Sequence, residues 1–72
     1  MVEIFKTNVM ECGQAEMLLQ KIHERFGYCQ ANFDLEDCDR ILRIESAILF
    51  INTGHIIKLV ENYGYRAEVL SD

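Results

Sequence analysis

The sequence predicts a two-layer α+β fold, a four-stranded antiparallel sheet with two helices on one face, and three observations carry that prediction. Two stretches space their apolar residues three and four apart, the period of a helix with one buried side. Four stretches alternate, or are rich in β-branched and aromatic residues, as strands are. The two kinds follow one another as β-α-β-β-α-β along 72 residues, with no proline and no internal repeat.

Residues 2–9, VEIFKTNV, contain no breaker and form the first expected strand. From Ala15 the apolar positions are Ala15, Leu18, Leu19, Ile22 and Phe26, one stripe on one side of a helix, with Glu16, Gln20, His23 and Glu24 largely opposite. Gly27 is the expected left-handed residue closing that helix. Residues 29–35 set Ala31, Phe33 and Leu35 against Gln30, Asn32 and Asp34, a half-buried strand. The polar break Glu36-Asp37-Cys38-Asp39 leads to a third strand over 40–46, with Leu42 and Ile44 inward, so the two strands make a hairpin. The apolar run 47–51 fits either a longer third strand or a buried connection. Asn52 is a plausible N-cap, with Ile51 and Ile56 placed as a hydrophobic staple. Ile56, Leu59, Val60 and Tyr63 form the second buried stripe, and Gly64 ends that helix. Residues 65–70 are the last strand, with Ala67 and Val69 on one face. Two right-handed split β-α-β units in this order interleave as 4-1-3-2, a ferredoxin-like sandwich.

Composition bounds the function. A single domain over residues 1–72 buries only about 60% of the surface its unfolded chain exposes, so help from a metal or a partner is in character. Half of the residues are apolar, which argues against disorder. The run 47–51 is far too short to cross a bilayer, and the first residues lack a basic stretch followed by an apolar one. No membrane insertion and a cytoplasmic location are therefore expected. The net charge of −5 and pI near 4.9 disfavour nucleic acid, whose non-specific binding rests on clustered Lys and Arg. A protein with a basic surface is the more natural partner. Cys12, Cys29 and Cys38 include no C-x-x-C pair, and an odd count without a secretion signal reads as free thiols.

Between the first strand and the first helix stands Met10-Glu11-Cys12-Gly13-Gln14-Ala15. Together with Gly64-Tyr65 entering the last strand, and the stretch from Gly27-Tyr28 to Asp34-Leu35-Glu36, it resembles the heavy-metal-associated domains of copper chaperones and metal-pumping ATPases. That family carries Met-x-Cys-x-x-Cys at this point. The resemblance covers nearly the whole chain. It implies a soft-metal site, for Cu(I) or Zn, with Cys12 in the place of the first ligand and Met10 packed beneath the loop. Ala15 departs from the second ligand. Two thiolates on one loop make a preorganised clamp for a soft cation, whereas here one thiolate faces a methyl group. The helix start favours a negative charge at Cys12, and Glu11 and Glu16 oppose it.

Cys38 is a second candidate metal ligand, since the topology returns its hairpin to the Cys12 end of the sheet, while Cys29 lies at the other end. A hairpin one to two strands away is offset by roughly 7 Å, but sulfurs sharing a metal sit about 4 Å apart, so that pairing needs loop movement. Two copies of Cys12 bridging one metal across a homodimer avoid the problem. The carboxylates around Cys38 lack the glycine and spacing of a calcium loop and read as a solvated turn. His23 and His55 read as surface residues. Tyr63 is expected in the core and Tyr65 as a lid on the loop. No catalytic triad or phosphate loop is present, so an enzyme is not expected. An RNA-recognition module is rejected because the third strand offers Arg43 and Glu45, not aromatics, on an acidic chain. A small-molecule regulatory module stays open on Gly13 in the first loop. Two function classes result: a degenerate heavy-metal-associated-like domain with weak or dimer-dependent soft-metal binding through Cys12, and a metal-independent interaction module with the same fold.

Overall fold

In a computed structural model that describes residues 1–47 and 50–70, the chain runs β1 (Val2–Thr7), α1 (Cys12–Arg25), β2 (Cys29–Asp34), β3 (Ile41–Ser46), α2 (Thr53–Asn62) and β4 (Ala67–Val69). The strands form one antiparallel sheet in the order β2-β3-β1-β4, the expected 4-1-3-2 read from the other edge. Phe5 sits at its centre, opposite Leu42 on β3 and Val69 on β4. Helix α1 packs over β2 and α2 over β4, and the helices touch each other, so both lie on one face.

The alternation along each strand sets which side chains reach the helices. Phe5, Thr7, Leu42, Ile44, Ser46, Cys29 and Ala31 are buried, and Lys6, Arg43, Gln30 and Asn32 face out. Leu18 and Ile22 from α1 and Ile56 and Val60 from α2 close the layer from above. Each fully buried Leu, Ile or Phe contributes about 1.5–3 kcal/mol relative to leaving it exposed. The open face carries Ile4 and Asn32 on either side of Arg43, whose guanidinium pairs with Glu45 at 2.9 Å. An antiparallel sheet with one solvated face has this composition.

Helix α1 begins three residues ahead of its apolar stripe, since Cys12, Gly13 and Gln14 form an outward first turn before Ala15 reaches the core. At the other end, the left-handed closure expected at Gly27 does not occur. The cap is Phe26, with φ −123° and its N–H donating to the Ile22 carbonyl at 2.7 Å. Phe26 is buried, and its ring stacks edge-on against Tyr28 at 6.4 Å, so the chain leaves the helix by entering the core. At Gly64 the expectation holds, with φ +90°, a conformation that costs glycine nothing. The Asn52 cap is also present, its Oδ1 accepting from His55 N–H at 3.1 Å, a contact worth about 1 kcal/mol. Ile51 and Ile56 beside it are both buried, as a staple requires.

Three expectations need correction. Strand β1 ends at Thr7, two residues early, because the Thr7 hydroxyl donates to the Arg40 carbonyl at 2.6 Å and accepts from Val9 N–H at 3.3 Å, turning the chain inward. The last strand covers only 67–69, although Arg66 N–H still reaches Asn8 Oδ1 at 2.7 Å and Leu70 N–H the Ile4 carbonyl at 2.9 Å. Tyr63 is 43% exposed, not in the core, because it caps α2 beyond its last buried turn. Tyr65 packs half-buried against the core instead. Of the run 47–51, β3 stops before it at Ser46, Phe50 is exposed and Ile51 is buried; residues 48 and 49 lie outside the described residues.

Candidate functional site

The first crossover, from the end of β1 to the first turn of α1, carries Cys12 at an exposed position. Val9 anchors the crossover in the core, fully buried, and leaves Met10 outside at 61% exposure. The resemblance had placed Met10 beneath the loop; the residue before it takes that role, so Met10 is not a packing element here. Glu11 precedes the helix in extended geometry, and its side chain makes no capping bond. No cap side chain therefore satisfies the first-turn amides of α1, the turn that begins at Cys12. Met10 N–H and Gln14 Oε1 lie 3.5 Å apart, at the limit of a hydrogen bond.

Ala15, where a second soft ligand would stand, is 4% exposed and part of the core cluster. One turn of helix thus offers one sulfur outside and one methyl inside. The third cysteine, Cys29, is buried at the opposite end of the sheet beside Ser46, and burial pushes its thiol up from the usual range.

The hairpin bearing Cys38 does return to the Cys12 end, as expected. Thr7 N–H donates to the Asp39 carbonyl at 3.1 Å, tying the turn to the end of β1. The turn is held from within as well. Asp37 Oδ1 accepts from Asp39 N–H at 2.9 Å and Asp34 Oδ1 from Glu36 N–H at 3.2 Å, while Arg40, in left-handed geometry at φ +48°, donates to the Leu35 carbonyl at 2.6 Å. Asp37, Cys38 and Asp39 bring one donor atom each within 4.8 Å of one another, and Cys12 is not a member of that group. Its two carboxylates already serve the fold, one as the turn's acceptor and one paired with Lys6 at 3.8 Å. The structure thus sets Cys38 among hard oxygen donors.

A Cu(I) site of the expected kind needs two sulfurs about 4 Å apart. The first crossover supplies one cysteine toward it, since the helical neighbour of Cys12 at the ligand spacing, Ala15, is an apolar group in the core. Gly13 shows no crowding that would require glycine, since a Cβ there meets nothing within 4 Å. A surface cleft of about 480 Å³ beside the end of β1 is lined by Lys6, Asn8, Glu61, Arg66 and Glu68 among others, two cations against two carboxylates.

His23 is exposed, as expected, yet its Nε2 accepts from Ala31 N–H at 3.0 Å. Sequence reasoning missed this bond because it links a helix to the following strand across a turn, and no spacing rule marks it. His55 takes part in the cap of α2 through its backbone only. On the open face, the outward positions of β1 and β3 hold Val2, Ile4, Lys6, Ile41, Arg43 and Glu45, with no aromatic ring.

Thiol accessibility follows directly. Cys12 and Cys38 are expected to react with a disulfide reagent within minutes under native conditions, and Cys29 only on unfolding. A count of two fast thiols, rising to three in denaturant, checks the placement of all three residues. No helix among the described residues is long and apolar enough to cross a membrane. Compared with protein-family models, curated proteins and solved structures, the chain matches none of them.

Proposed function

We propose that this chain is a heavy-metal-associated-like domain that works as a non-catalytic interaction or regulatory module, keeping the fold of a soft-metal carrier without a single-chain metal clamp. The observation that carries this reading is the burial of Ala15 beside the exposed Cys12. A lone thiolate lacks the chelate that makes a soft-metal site retain its ion. Its acidic hairpin, with Asp34, Glu36 and Asp37 exposed, suits a partner with a basic surface. Three unpaired thiols suit a reducing compartment such as the cytoplasm.

A second reading rests on the exposure of Cys12 itself. Two copies meeting at their first crossovers supply two sulfurs without rearranging either fold, so soft-metal binding through Cys12 is weak in the monomer and depends on a homodimer. Cu(I) competition against a chelator of known affinity tests both readings on reduced wild type, Cys12→Ser, Cys38→Ser and the double variant. The module reading expects wild type to take up no more copper than the double variant. Uptake that disappears with Cys12→Ser alone supports the dimer reading. Uptake by wild type at one copper per monomer contradicts both.

A further inference from the structure

We propose that His23 is an acid-sensitive latch that holds the last turns of α1 to the free edge of β2. Among the described residues, strand β2 is the outer strand of the sheet and pairs only with β3. On β3, Ser46 gives its N–H to the Met1 carbonyl, on the β1 side. Alternation along the ladder then leaves Ser46, Ile44 and Leu42 bonded toward β1, and their partners on β2, Cys29, Ala31 and Phe33, with amides directed outward. An outward amide on an edge strand is a donor without a ladder partner. Two of these have acceptors supplied by the segment just before them. Cys29 N–H donates to the Phe26 carbonyl at 2.9 Å, and Ala31 N–H donates to His23 Nε2 at 3.0 Å.

The second bond dictates the state of the ring. A backbone amide only donates, so Nε2 must keep its lone pair and the hydrogen must reside on Nδ1. This is the neutral imidazole in one tautomer. Adding a proton makes both ring nitrogens donors, and Nε2–H then confronts Ala31 N–H. The bond is lost, and two donors are left facing each other. The gate needs no rearrangement of the core, because the ring itself is at the surface.

The surroundings do not hold a charged ring in place. On α1, the adjacent Glu24 is paired with Lys21 at 3.9 Å, and Arg25 is itself a cation. On β2 the titratable side chains are Cys29, a buried thiol that burial keeps protonated, and Asp34, at the far end of the strand on the opposite sheet face. Helix α2 packs over β4, at the opposite edge of the sheet from β2; its His55 and Lys58 share a cleft with Arg25, and its Glu61 one with Lys6 and Arg66. Among the described residues no carboxylate lies within ion-pair distance of His23.

Amide and ring-nitrogen NMR of the whole chain tests the latch in wild type, His23→Gln and His23→Ala. In wild type at high pH the ring is expected as the Nδ1–H tautomer, with Ala31 N–H exchanging about tenfold more slowly than in His23→Ala, the effect of one net hydrogen bond. On acidification until the ring takes up its second proton, the Ala31 amide shift is expected to track the His23 ring. Glutamine offers an oxygen acceptor at every pH, so in His23→Gln the Ala31 amide stays bonded and insensitive to acid. An Ala31 resonance that stays fixed while the wild-type ring titrates overturns the proposal. So does an Nε2–H tautomer at high pH, or the same acid shift in His23→Gln.

Discussion

Replacing Ala15 with cysteine is expected to raise the affinity of the monomer for Cu(I) by about two orders of magnitude or more, equivalent to about 3 kcal/mol. Cys12 and residue 15 are three apart in the first turn of α1, so their Cβ atoms lie about 5–6 Å from each other on neighbouring positions of the helix surface. A sulfur at residue 15 that turns out of the core toward Cys12 can share one ion with it at bonds of about 2.3 Å. The cost is modest. Ala15 is 4% exposed, and adding one sulfur atom to a packed site destabilises by about 1–3 kcal/mol. Competition titration of Ala15→Cys beside wild type checks the gain, and circular dichroism checks that the variant is folded. A folded variant with wild-type affinity removes the basis for likening this crossover to a soft-metal loop.

Phe5→Ala is expected to unfold the domain or leave it marginal. Phe5 has no exposed surface, and its strand is hydrogen-bonded on both sides, opposite Leu42 and Val69. Removing a buried Phe costs about 3–5 kcal/mol through lost transfer energy and the cavity left behind. At about 0.05–0.15 kcal/mol per residue, 72 residues are held by only about 4–11 kcal/mol in total. Val69→Ala is the natural control. Val69 lies opposite Phe5 on the same sheet but is 41% exposed at the short edge strand, so its loss is expected within about 1 kcal/mol. Urea midpoints of the two variants measure the contrast, and equal losses contradict the central role assigned to β1.

The element order and strand order were legible because the apolar periods are clean where a face is buried. Leu18 and Ile22 mark α1, Leu42 and Ile44 mark β3, and Asn52 announces α2 by the chemistry of its side chain. What the pattern misplaced lies where tertiary contacts override local preference. Gly27 looks like a helix stop, but the burial of Phe26 ends α1 first. Tyr63 continues the apolar stripe of α2 in sequence, yet by then the helix has passed its buried turns, and Tyr65 takes the inward place. At the candidate site, the exposure of Cys12 and Cys38 and the burial of Cys29 follow from their positions in the topology. That Met10 stands outside while Val9 is anchored does not, because the expected strand ran on to Val9 and the resemblance put Met10 beneath the loop. The bond from Ala31 to His23 was illegible for a different reason. It depends on where a helix end meets a sheet edge, which only the assembled layers determine.

One copy of this chain carries a single thiol, Cys12, on its first crossover, with Ala15 in the core at the ligand spacing, and is therefore expected not to chelate a soft cation alone. Native mass spectrometry of the reduced protein over rising Cu(I) tests it most directly, because it reads metal and copy number in the same ion. The expected spectrum shows a copper-free monomer throughout, with any retained copper found only on dimers and lost in Cys12→Ser. A monomer that retains one copper at stoichiometric metal contradicts the account.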